Sequence, residues 1–168
     1  MFDESRVDGV IFIATIITPK HKKLIRHSTV PVVVVGQNIP GCNCVYHDDY
    51  NAMRQLTELM ISRGKKNIGF VGVTMKDEAV GKERNRGCCD VVREAGHEEW
   101  IENYVISDFT SESGMVNVKR LYEKNKHIDG IVCATDNIAV GVMVFLKQKG
   151  AKIPEDVSFM GMGDTIIS

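Results

Sequence analysis

The chain has 168 residues, 43% of them hydrophobic and 26% charged, with 21 Lys and Arg against 22 Asp and Glu. That length suits one good core or two small lobes sharing a hinge, and a net charge of −1 lacks the clustered basic surface with which a nucleic-acid binder displaces counterions. No run approaches the ~20 apolar residues of a membrane span, and the odd count of five Cys reads as reduced thiols, not a disulfide framework.

In chain order, the acidic start MFDESRVDG is no signal peptide, which with the thiols points to the cytoplasm. Residues 10–14 (VIFIA) form a continuous apolar strand. A basic helix is expected over 19–27, with Leu24 and Ile25 as its inner face. The Val-rich run 30–35 reads as a strand buried on both faces, as in parallel sheets. Residues 36–43 (GQNIPGCN) are a turn cluster and 44–46 a brief strand. His47-Asp48-Asp49-Tyr50 leads into a helix in which Ala52, Leu56, Leu59 and Met60 share a face, closed by Arg63-Gly64.

Residues 67–73 (NIGFVGV) give the next strand. A long helix is predicted over 77–95, with Val80, Arg84, Cys88, Val91 and Ala95 along one side. A weak strand at 104–106 and a helix at 111–124, with Met115, Val118, Leu121 and Tyr122 inward, complete the approach to the last unit. There the strand 130–134 meets Thr135-Asp136, an oxygen-bearing helix cap. Ile138, Val142, Phe145, Leu146 and Lys149 follow at helical spacing. Gly150 fits the left-handed position past the helix end, and Pro154 blocks its resumption. Residues 157–160 are a second strand, closed by Gly161-Met162-Gly163, so the unit is βαβ with a right-handed crossover. Strands alternate with helices at every step, which makes the class α/β with largely parallel sheets.

In open parallel sheets, ligands bind at the carboxyl ends of the strands. Those ends carry Thr15, Gly36-Gln37, residues 74–77, Asp108-Phe109, Thr135-Asp136 and Gly163-Asp164, with Arg84 one to two turns into a following helix. Small polar groups beside one aromatic ring suit a hydroxyl-rich ligand. With no GxGxxG or P-loop, a nucleotide is not favoured and no cofactor is expected. The five His residues are scattered, and neither H-E-x-x-H nor a G-x-S-x-G elbow occurs, so nothing points to an enzyme. Cys42-x-Cys44 lacks a second pair for metal, and Lys20-His21-Lys22-Lys23 reads as a solvated helix face.

From Asp129 onward the pattern D-G-I-x-x-x-x-D-x-x-A-x-G-x-x-x-x-L-x-x-x-G-x-x-I-P-E-D-V-S-x-x-G resembles the effector-binding core of the LacI/GalR family of bacterial transcription repressors. The resemblance implies a periplasmic-binding-protein-like fold of two Rossmann-like lobes with parallel sheets, present here as a partial core. Residues 1–46 would belong to the first lobe, 47–161 to the second, and 162–168 to a return crossover, with the DNA-binding headpiece outside this chain. Such a core would leave its first lobe open and associate through exposed apolar edges.

Position by position, Arg84 with Gly87 three residues later matches the family's R-x-x-G, whose Arg holds sugar hydroxyls through a bidentate guanidinium. Phe109 falls where relatives stack an aromatic ring on the effector. Thr135 holds the effector-facing place ahead of the next residue, and Asp136, Gln37 and Asp77 complete the expected set. Gly163 stands where many relatives have the first Asp of G-[FY]-D-D, a departure that removes a ligand carboxylate. Val35-Gly36-Gln37, VYHDDYNA and VGVTMKDEAVGKER look like the trehalose and sucrose operon repressors. That likeness implies a disaccharide or its 6-phosphate as effector, a phosphate being held by Arg84, Lys76, Lys82 and the N–H groups after Asp77. Also implied are a homodimer and operator binding through the headpiece. A periplasmic-type sugar-binding protein and a repressor core regulated by a protein partner are the alternatives.

Plainer readings stand beside these. Arg84 pairs with Glu83 or another neighbour, Phe109 fills a core gap, and Cys133 packs inside a strand. Asp77 and Asp136 are caps, Thr135 supports one, and Gln37 sits in a solvated turn.

Overall fold

Parallel strands and helices alternate through residues 7–166, the part that the computed structural model describes. The acidic start up to Arg6 and the last two positions of the expected return crossover lie outside the described residues.

The first sheet is made of β1 (Val10–Ile13), β2 (Val32–Val35) and β3 (Asn43–Val45), all parallel and in that order. Register sets Phe12 beside Val34 and Val34 beside Cys44. This face packs with Ile39 and with Ile25 of α1 (Pro19–Arg26). Side chains alternate across a sheet, so Ile11, Ile13 and Val45 point the other way and are 73%, 75% and 63% exposed. Burial on both faces, expected for 30–35, is therefore not found. Among the described residues helical cover lies on one face, and within β2 only Val34 is buried. Leu24 is likewise not inward but exposed, because α1 carries cations around a stripe only wide enough for Ile25.

The second sheet holds β4 (Ile68–Gly72), β5 (Tyr104–Ile106), β6 (Gly130–Cys133) and β7 (Ser158–Met160), in the order β5-β4-β6-β7 and parallel throughout. β4 and β6 are buried along their whole length, as their unbroken apolar runs require. Asp129 joins the starts of these two strands, its carboxylate accepting the N–H groups of Lys66 at 2.9 Å and Asn67 at 2.8 Å. Two helix pairs cover the sheet, α2 (Asp49–Ser62) with α3 (Arg84–Glu94) and α4 (Ser111–Lys124) with α5 (Asp136–Gln148). Val71, Leu121, Ile131, Ile138 and Val142 are at the centre of the core.

Two helices depart from their sequence patterns. In α2 the buried stripe is Asp49, Met53, Thr57 and Met60, while Leu59 is exposed. The stripe is rotated so that Asp49, at its head, faces α3, and Thr57 satisfies its hydroxyl by donating to the Met53 carbonyl at 2.8 Å. The helix expected over 77–95 is in fact a π-helical turn, Glu78–Glu83, running into α3, with Ala95 exposed beyond it. Lys82 N donates to the Asp77 carbonyl at 3.0 Å and Arg84 N to that of Ala79, both five residues back. The wide turn presses Gly81 on the loop after β4, where a Cβ would lie 2.1 Å from the Thr74 oxygen. No apolar periodicity announces such a turn.

Candidate functional site

Parallel pairing brings the carboxyl ends of β4, β5, β6 and β7 to one edge, and the residues that follow them build it. After β4, Asp77 caps the π-helical turn by accepting Val80 N at 2.8 Å. Its carboxyl is pushed above the usual carboxylate range, first by burial, against backbone N–H bonds that act the other way. Arg84 emerges at the end of that turn and is buried. Its Nε donates to Asp49 Oδ1 at 2.7 Å, Nη2 lies 2.6 Å from the same oxygen, and Nη1 donates to the Ala134 carbonyl just past β6. Arg84 therefore pairs neither with Glu83, which is taken by Arg86, nor with any group on its own helix. Gly87 makes the approach possible, since a Cβ there would meet the Tyr50 carbonyl oxygen at 2.4 Å.

After β6, Thr135 is the cap of α5, its Oγ1 accepting from Ile138 N at 3.4 Å. Asp136 is thus not the cap but the first helical residue. Its carboxylate is buried and accepts from Thr165 N at 3.0 Å and Thr165 Oγ1 at 3.3 Å. Gly163 lies against it, with φ of 153° and space so tight that a Cβ would sit 2.8 Å from Asp136 Oδ2. After β5, Phe109 is half-buried on the main core, and its carbonyl accepts from Asn137 Nδ2 at 3.4 Å. Gln37 lies just past β2 of the first sheet. It is buried rather than solvated, and its Nε2 donates to the carbonyls of Ala14, at 3.0 Å, and Thr15.

A crevice of about 590 Å³ lies between the two sheets. Gly36, Gln37 and Asn38 after β2 form one wall, Glu78, Ala79, Glu83 and Arg86 the other, and the connector Tyr46-His47-Asp48-Asp49-Tyr50 closes it. Of the seven expected site residues, Gln37 alone lines this space. Arg84 and Asp77 are each one residue from a lining side chain, while Thr135, Asp136, Phe109 and Gly163 belong to the edge of the second sheet. The cations expected to hold a phosphate are not gathered: Arg84 is on Asp49, Lys82 is 2.7 Å from Glu78, and Lys76 is exposed outside the lining.

Sequence reasoning missed Asp49, Tyr46, Tyr50 and Arg86. The acidic doublet in HDDYNA was the available signal for Asp49, and the hidden information was which of the two points inward. Asp48 caps α2, accepting Asn51 N at 3.2 Å, and bonds from the side chain and backbone of Asn51 lower its pKa. Arg86 lies 4.1 Å from the centroid of the Tyr50 ring, whose hydroxyl donates to Asp90 Oδ2 at 3.0 Å. Among the described residues no group of His, Cys, Asp and Glu is placed to hold a metal ion, and no helix is long and apolar enough to cross a membrane.

The family described as periplasmic binding proteins and sugar binding domain of the LacI family matches residues 2–164. The sucrose operon repressor of Staphylococcus xylosus is 35% identical over 141 residues, which cover 84% of this chain and 43% of that protein. Catabolite control protein A of Priestia megaterium is 28% identical over 168 residues, covering 97% of this chain and 50% of its own. Among solved structures, the cellobiose complex of the transcriptional regulator CelR superposes with a TM-score of 0.87 at 25% identity, over 98% of this chain and 51% of that one. The transcription regulator CcpA of Lactococcus lactis gives 0.83 at 28% identity, over 96% and 59%. The chain spans about half the length of the curated relatives it matches.

Proposed function

The chain belongs to the family of periplasmic binding proteins and LacI-type sugar binding domains, and from that premise we propose that it is the effector-sensing and dimerising core of a bacterial transcriptional repressor. Its relatives are regulators, not enzymes, and a regulator of this kind works in the cytoplasm. The effector is a sugar or sugar phosphate, a disaccharide or its 6-phosphate, received between a first lobe up to residue 46 and a second lobe over 47–161. Gln37 presents the first lobe to it. Arg84, with Asp49, supplies the polar centre of the second. Thr135, Asp136, Phe109 and Gly163 shape the neighbouring edge, and Asp77 fixes the turn that carries Arg84.

A bound effector shifts the lobe angle only by its differential affinity for the two arrangements. That angle is passed through a homodimer to headpieces on operator DNA, so effector and operator alter each other's affinity by the same factor. The observation that carries this reading is the crevice of about 590 Å³ whose walls come from the segments that follow a strand of each sheet. Volumes of ~300–1,000 Å³ with a few convergent polar groups are usual for small-molecule sites. Cellobiose in the CelR complex supports a saccharide as ligand.

The test is a thermal-shift panel of sucrose, trehalose, galactose and their 6-phosphates. A ligand of the folded state at about 100 times its Kd adds about 2.7 kcal/mol, a clear rise in the melting midpoint. A rise with one saccharide supports the reading, and no rise with any of them removes the sugar from it.

A further inference from the structure

We infer that the effector is an uncharged saccharide whose ring stacks on Tyr46, an inference that rests on the crevice being the effector site. Three aromatic rings come into question, and two are already engaged. Phe109 is packed on the core and stands outside the lining. Tyr50 has Arg86 over its ring at 4.1 Å, and its hydroxyl is held by Asp90. Tyr46 follows the last residue of β3, lines the crevice and is 52% exposed. Its π-face, which carries the negative side of the ring quadrupole, suits the C–H side of a pyranose. Because Tyr46 lies on the connector between the sheets, a ring stacked there touches the segment that must bend when they move.

The charges of the wall select against a phosphate. Three cations at or beside the crevice are committed to carboxylates: Arg84 to Asp49, Lys82 to Glu78 and Arg86 to Glu83. Helix starts usually offer N–H groups to anions. Here the two at the crevice are filled by the chain's own carboxylates, Asp48 on Asn51 N and Asp77 on Val80 N. Among the described lining residues Lys22 is the cation with no acidic partner, while Asp48, Asp49, Glu78 and Glu83 bring four carboxylates. Carboxylate oxygens accept from sugar hydroxyls, whereas a phosphate ester would have to draw these cations away from the carboxylates they already hold.

The test is calorimetric titration of the full chain with sucrose and trehalose and with the 6-phosphate of each, repeated on Tyr46→Ala and Tyr46→Phe, with circular-dichroism melts as fold controls. The expected result is a neutral disaccharide bound at least about ten-fold more tightly than its phosphate. Tyr46→Ala should weaken it roughly ten-fold while Tyr46→Phe, which keeps the ring face, stays within about two-fold of the parent. A phosphate ester that binds more tightly than its neutral sugar overturns the inference and leaves the sugar-sensing function standing. Unchanged affinity in a folded Tyr46→Ala overturns the stacking. If neither form of any saccharide binds, the functional reading itself falls, and this inference with it.

Discussion

Arg84 and Asp49 close on each other across two helices, Nε to Oδ1 at 2.7 Å, with side chains only 9% and 5% exposed. Nη1 of the same guanidinium donates to the Ala134 carbonyl, so one side chain ties the start of α2, the start of α3 and the end of β6. A planar fork can reach two sites in fixed directions, which a single ammonium cannot. Removing one partner leaves a buried charge alone, and Arg84→Ala should cost about 3–5 kcal/mol in urea unfolding. Replacing both, as in Arg84→Met with Asp49→Leu, should recover most of that. A loss below about 1 kcal/mol in Arg84→Ala would mean the pair is solvated.

Asp136 and Gly163 make a second interdependent pair. The carboxylate accepts from the backbone and hydroxyl of Thr165, and the close approach of 161–165 depends on the glycines at 161 and 163, where a Cβ would lie 2.8 Å from one or other Asp136 oxygen. Gly163→Asp, the change towards the family's G-[FY]-D-D pattern, therefore puts a second carboxylate against Asp136 in this chain. It should destabilise by about 2 kcal/mol or more through contact and like charge. Adding Asp136→Asn removes the repulsion and should return part of the loss in thermal melts. If Gly163→Asp melts with the parent, the segment 161–165 does not lie on Asp136.

How much of this was legible follows from what periodicity can encode. The strand at 104–106 and the helix at 111–124 match β5 and α4 residue for residue, because apolar spacing and a Thr110 cap mark them locally. The βαβ unit from Gly130 was legible to within one residue at each strand, and Gly150 does take the left-handed region past the helix end, although the cap is Thr135 and not Asp136. The π-helical turn was not, since its extra residue is set by how Gly81 meets Thr74 across the sheet edge. Nor was the partner of Arg84, which lies 35 residues away. The crevice walls at Tyr46 and Arg86 come from segments that only the packing of the two sheets brings together.

Asp77 gives a pH signature. Burial raises its carboxyl in the folded chain, so its contribution to stability is fully present at low pH and is lost as pH rises through that raised value. Asn keeps the cap without ionising. Asp77→Asn should therefore match or exceed the parent near neutrality and flatten the fall in stability just above the ordinary carboxylate range. Asp77→Ala, which lacks the cap, should lose about 1 kcal/mol at every pH. Urea midpoints from about pH 4 to about pH 8 bracket the window. Parallel curves for parent and Asp77→Asn would contradict the raised value.

The thiols offer a probe of packing that needs no ligand. Cys133 is fully buried in β6 and Cys88 is 4% exposed in α3. Burial pushes the Cys88 thiol up to about 12 and that of Cys133 upward as well. The thiolate is the reactive form, so both should stay unlabelled by iodoacetamide near pH 8 while the fold holds. Cys42 and Cys44 are only partly buried and should label first. Cys89 is half-covered and also raised by burial, and should follow more slowly. Mass spectrometry after timed labelling separates the five, and urea should release Cys88 and Cys133 together, since both belong to the core of the second sheet. Early label on Cys133 would mean that β6 opens without the rest of that core.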